Sequence, residues 1–150
     1  MRKRFFLMVV WMTICLESSE TRAQNRLISL VIPIVESNNN DWAIGDKRLA
    51  KKAYGSHQIR QPVCDDVNRR YGTRYRAEKM RGNRALSERV CRLYLGLHAT
   101  KKRLGRAPTN EDRARIWNGG PDGWQRAETV KYWKKIKQII ADEKKKGGRR

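Results

Sequence analysis

The chain has 150 residues, the length of one domain with a single core. Its 35 Lys and Arg face 15 Asp and Glu, and a formal charge of +20 selects for polyanionic partners. His57, His98, Cys64 and Cys91 show no metal-ligand spacing, which excludes a sequence-encoded metal site, and no cofactor is expected.

Arg2-Lys3-Arg4 leads into an apolar run, Phe5 to Leu16, that is too short to span a bilayer and is ended by Glu17. Thr21 and Ala23 place small residues before Gln24. This is the pattern of a secretory leader over 1–23, so the chain is expected in the periplasm or outside the cell. Most of the charge stays with the remainder. For an exported chain, that field points to anionic cell-envelope polymers rather than nucleic acid. Cys64 and Cys91 form an even pair in an oxidising compartment, either bridged or as two buried thiols.

From Leu27 to Val35 the sequence is apolar at almost every position. Leu27, Leu30, Val31, Ile34 and Val35 fall on one helical face, and Ile28 and Ile32 add a second. One helix, kinked at Pro33, is expected to end at Glu36 or Ser37, ahead of the turn-forming Asn38-Asn39-Asn40-Asp41. A carboxyl at the end of a buried helix is pushed toward its protonated form by burial and by the negative helix terminus. A general acid needs such a retained proton.

Between Asp41 and Ile59 the helical period is lost, and Gly45-Asp46 and Tyr54-Gly55-Ser56 read as turns of a small irregular β-hairpin. Pro62 starts a helix with Val63, Val67 and Tyr71 on one face, closed by Gly72, with Asp65 and Asp66 set in its first turn. A basic stretch, Tyr75 to Asn83, precedes a helix from Ala85 to His98, and Lys101 to Pro108 reads as a connection. Thr109 and Asp112 form a capping-box pattern for a helix from Asn110 to Trp117. Asn118 to Gly123 is a loop. The last helix, Ala127 to Asp142, turns Val130, Trp133, Ile136, Ile139 and Ile140 inward and its lysines to water, and 144–150 is a basic disordered tail. The globular part is thus 24–143 and the fold class α+β, predominantly α.

Three short pieces stand out in order: Val35-Glu36-Ser37, then Tyr54-Gly55-Ser56-His57-Gln58-Ile59, then Ile116-Trp117-Asn118-Gly119-Gly120-Pro121. In this order and spacing they resemble the lysozyme-like superfamily, soluble lytic transglycosylases and goose-type lysozymes above all, over roughly Leu27 to Trp133. The resemblance implies a lysozyme-like helical domain with the hairpin beside a cleft. It makes Glu36 the catalytic acid and Ser37 its polar neighbour. It sets Gln58 on the opposite wall, Gly55 in a close-packed turn and Asn118 in the substrate groove. Trp117 stands where the pattern has a tyrosine whose hydroxyl meets the glutamate, and an indole offers only an N–H. His57 is read as a core or solvated histidine.

The implied reaction is cleavage of the β-1,4 bond between N-acetylmuramic acid and N-acetylglucosamine in peptidoglycan strands by a monomeric enzyme. A hydrolase needs a second carboxylate. A transglycosylase reuses the glutamate to close a 1,6-anhydro ring. Asp46, ten residues after Glu36, and Asp41, five after it, are the candidates for a second carboxylate, and each is also a plausible turn residue. Tyr54, Trp117 and Trp124 are placed to stack on sugar faces, and Trp42 reads as either a core or a sugar residue. Two other readings compete with the enzyme. One is a glycan-binding protein on the same scaffold with weak or lost catalysis, and the other is a cationic protein that binds anionic surfaces without a site.

Overall fold

The computed structural model describes residues 18–147; the leader expected at 1–23 lies outside these except for its last residues, and 148–150 of the tail also lie outside. A helical run begins at α1 (Ser19–Arg26), passes through a five-residue π segment (Leu27–Val31) and continues as α2 (Ile32–Ser37). The expected helix therefore starts earlier, and Pro33 is accommodated differently from a simple kink. Proline has no N–H and its ring crowds the carbonyl four residues back. The wide turn just before it relieves that conflict, with the Ile32 N–H reaching back to the Leu27 carbonyl.

The π segment is the centre of the core. Leu27, Ile28, Val31 and Ile32 are all 1% exposed or less. Against them pack α3 (Gln61–Tyr71), α4 (Arg84–His98), α6 (Asn110–Gly119) and α7 (Thr129–Gly147), which contribute Val67, Val90, Leu95, Ile116 and Ile136. Each such aliphatic side chain stabilises the fold by about 1.5–3 kcal/mol relative to exposure. Cys64 and Cys91 sit in the same core as two separate buried thiols rather than a bridge.

The excursion between α2 and α3 is the expected hairpin, in small form. β1 (Ile44–Gly45) pairs antiparallel with β2 (Ala53–Tyr54), with Ile44 opposite Tyr54 and Gly45 opposite Ala53. Tyr54 then pairs with Ile59 through two 2.9 Å backbone bonds, closing a tight loop over 55–58. Gly55 has a φ of 74°, and a Cβ there would stand 2.6 Å from the Met80 carbonyl oxygen, so the backbone approach needs glycine. The expected close-packed turn is present.

Gly72 closes α3 in the left-handed conformation, as its position implied. Asp65 and Asp66 both lie deeper in α3 than its first turn, because the helix begins at Gln61, and Asp66 meets His98 Nε2 of α4 at 3.3 Å. The connection after α4 contains a short helix, α5 (Lys101–Leu104), capped by Thr100. The capping box at Thr109 and Asp112 is made, and Arg106 grips the same carboxylate at 2.6 and 2.9 Å. α6 continues through Asn118 and Gly119, two residues expected in a loop. α7 begins at Thr129 and runs past Asp142 into the basic tail. The architecture is a mostly helical α+β fold with one two-stranded sheet at its side.

Candidate active site

Glu36 is the last residue but one of α2, and the chain reverses directly after it. Asn38 and Asn39 take left-handed conformations, and their N–H groups cap the Ile34 and Pro33 carbonyls at 3.0 Å each. Ser37 braces this end. Its Oγ lies 3.1 Å from the Pro33 oxygen and 2.9 Å from the Ser56 oxygen in the hairpin loop, and it accepts the Asn40 N–H at 3.1 Å. Ser37 therefore fixes the acid's helix to the hairpin, and it does not line the cleft.

A cleft of about 390 Å³ opens over Glu36. Of the residues expected from the sequence, Glu36, Asp46, Gln58, Trp117 and Asn118 all line it, drawn from α2, the hairpin and the end of α6. Arg60 and Tyr94 line it too, and neither was anticipated. Tyr54 instead packs against the core from β2, Trp124 packs there as well, and Trp133 does so as expected. Trp42 is 64% exposed, its ring lying over Gly82 with the Arg81 guanidinium 5.6 Å from its centre.

The hydroxyl that a tyrosine at position 117 would have brought comes from another element. Tyr132 of α7, 8% exposed, donates to Glu36 Oε1 at 2.7 Å. The Trp117 indole lines the same cleft and acts on the carboxyl in the same sense, lowering its pKa. Burial raises the Glu36 pKa above its ordinary 4.5. The Tyr132 bond, the Trp117 indole and the charge of Arg60 oppose the rise, Asp46 adds to it, and the net direction is upward. Tyr132 was missed by sequence reading. It lies on the inward face of α7, four residues before Ile136, where aromatic side chains usually serve packing alone.

Trp117 is held from two sides by ring edges, His57 at 6.3 Å and Tyr94 at 5.8 Å between centroids. His57 is fully buried, and desolvation pulls its pKa down to about 4, so it is neutral. Its Nε2–H donates to the Ile28 oxygen at 2.9 Å, and its Nδ1 accepts from Ser56 Oγ at 3.1 Å. It is a core histidine supporting the cleft wall.

On the hairpin side, Gln58 adopts a φ of 50°, and its amide donates to the Gly55 oxygen at 2.9 Å. A Cβ at Gly45 would run into Gln58 Oε1, so the glycine makes room for the glutamine. Asp46 follows with a φ of 52° and forms an ion pair with Arg60. Asp41 is turned away, paired with Arg84 of α4 at 2.8 Å, and does not line the cleft. Among the described residues no group of three His, Cys, Asp or Glu could hold a metal ion. Chemically, the site offers a buried carboxyl of raised pKa, a second carboxyl ion-paired with Arg60, and neutral amides around an open groove.

Solved structures similar to this chain include two from one lysozyme. One is inhibitor-bound lysozyme from Meretrix lusoria, and the other is Aeromonas hydrophila PliI in complex with Meretrix lusoria lysozyme. Each matches with a TM-score of 0.62 at 21% identity, covering 75% of this chain and 87% of the other. At that identity the likeness shows the fold, which is lysozyme-like. No protein-family model and no curated protein matches the chain.

Proposed function

We propose that this chain is an exported glycosidase that cleaves peptidoglycan at the β-1,4 bond between N-acetylmuramic acid and N-acetylglucosamine, with Glu36 as general acid. The observation that carries the reading is Glu36 itself: a carboxyl raised in pKa by burial, lining an open cleft, with Tyr132 donating to its Oε1. That bond fixes the carboxyl's orientation and leaves Oε2 to carry the proton to the leaving glycosidic oxygen. The lysozyme-like fold agrees with this chemistry. The binding-protein reading drew on the loss of a tyrosine at position 117. Tyr132 restores a hydroxyl to the acid, so that argument loses its force.

Within this reading the reaction is hydrolysis. Asp46 lines the same cleft, ion-paired with Arg60. A carboxylate there can activate water or stabilise the sugar cation after the leaving group departs. Gln58 and Asn118 supply neutral hydrogen-bonding groups for acetamido and hydroxyl substituents, and Trp117, backed by the buried Tyr94, supplies aromatic surface for the sugar rings. The high positive charge concentrates the enzyme on an anionic wall. Mass analysis of fragments from purified peptidoglycan tests the proposal. Reducing muramic termini are expected, 1,6-anhydro termini would replace hydrolysis by transglycosylation, and the absence of soluble fragments would remove the enzyme.

A further inference from the structure

Arg60 is the one cation among the described residues that line the cleft, and general acid–base chemistry has no need of a cation there. Its backbone is fixed. It follows Ile59, which is paired in both directions with Tyr54, and its own carbonyl accepts the Val63 N–H at 3.1 Å as α3 begins. Its side chain is half exposed and ion-paired with Asp46. A guanidinium carries five N–H donors in a planar fork, so pairing with one carboxylate leaves further donors facing the groove.

The remaining charged groups of the lining are Glu36 and Asp46, both carboxyls. Without Arg60 the groove would be neutral or negative and would repel a ligand bearing carboxylates. With Arg60 it has a fixed cationic fork beside the acid. A neutral sugar polymer gains little from such a group, whereas a carboxylate gains a charge-assisted, potentially bidentate contact.

We propose that Arg60 makes the cleft select glycans whose sugars carry carboxylates, as muramic lactyl groups do, over neutral N-acetylglucosamine polymers of the same backbone. This rests on the reading of the cleft as a glycan site. Arg60 also positions Asp46, and the two roles have different signatures. Lost positioning affects every substrate alike, whereas lost selectivity changes the ratio between acidic and neutral ligands.

The test is calorimetric binding in a Glu36→Gln background, which removes turnover. The ligands are a tetrasaccharide of alternating N-acetylglucosamine and N-acetylmuramic acid and the all-N-acetylglucosamine tetrasaccharide. With Arg60 present the acidic ligand is expected to bind about tenfold more tightly, and this preference should shrink as salt is raised. Arg60→Gln should bring the ratio to about one by weakening the acidic ligand, and Arg60→Lys should keep part of it. Thermal melts of each variant control for folding. An unchanged ratio in Arg60→Gln, equal weakening of both ligands, or no binding of either would overturn the proposal. If peptidoglycan is cleaved in a Glu36-dependent way but the ratio ignores Arg60, this inference alone fails. If the ratio depends on Arg60 but the parent releases no fragments, the glycosidase reading alone fails.

Discussion

The two walls of the cleft are built by different physics. On the helical wall, Glu36 is set by packing: α2 ends a rod anchored in the core by the buried Leu27, Ile28, Val31 and Ile32, and Tyr132 reaches it from α7, 96 residues away in the chain. On the hairpin wall, Asp46 and Gln58 are set by backbone conformation, both at positive φ, and by local contacts to Arg60 and Gly55. Burial raises the pKa of the carboxyl on the first wall. The second wall instead carries a carboxyl ion-paired with Arg60. Under the proposed function, the buried carboxyl is the acid and the ion-paired one its electrostatic support.

Breaking the helical wall should have the largest effect. Glu36→Gln keeps the shape but has no proton to give, and cleavage of purified peptidoglycan should fall by roughly 10²–10⁴-fold with an unchanged circular dichroism spectrum. On the hairpin wall, Asp46→Asn should cost less, on the order of 10²-fold in kcat with KM little altered, measured by reducing-end release. Equal losses for the two variants would erase the distinction between the walls.

Tyr132→Phe sharpens the comparison. The hydroxyl stabilises the carboxylate form of Glu36, so its removal should raise the Glu36 pKa further and move the basic limb of the pH–rate profile upward. The accompanying loss of positioning is expected to lower kcat by about tenfold, equivalent to roughly 1.4 kcal/mol. A basic limb that moves downward would contradict the role given to Tyr132.

The smallest effect lies outside both walls. At Asp112 burial raises the pKa, but Arg106 and the Thr109 bonds outweigh it and hold the carboxyl at about 2, below its ordinary 3.8. A depressed carboxyl contributes stability that is complete above pH 3.8 and is lost as pH falls through about 2. Thr109→Ala, which removes the cap of the helix carrying Trp117 and Asn118, should cost about 1 kcal/mol in denaturant melts at neutral pH, with cleavage nearly intact.

Local pattern revealed much of this. The apolar run around Ile28 and Ile32, the Thr109 cap, the Gly72 stop and the turns around Gly55 all act within a few residues, and each appears where the sequence placed it. The ordered motifs also brought Glu36, Gln58, Trp117 and Asn118 to one cleft. What escaped was set by tertiary contact. Nothing near Tyr132 marks it as the partner of Glu36, because the pairing exists only once α7 lies against α2. Arg60 looked like one of many arginines until the Tyr54–Ile59 bridge aimed it into the groove. Ser37 and Tyr54 carried motif positions, yet their side chains serve the brace and the core. The π segment was hidden because its apolar pattern is the same as that of an ordinary buried helix.

The central claim is that burial keeps a proton on Glu36 at the cleft. A carbon-13 carboxyl NMR titration, with Glu36→Gln used to assign the resonance, measures it directly. The account predicts a midpoint clearly above 4.5. It also predicts that the parent loses stability relative to Glu36→Gln as pH rises through that midpoint, since a raised carboxyl binds more protons in the folded state than in the unfolded one. A midpoint at or below 4.5 would mean an ionised glutamate with no proton to deliver, and would contradict the account.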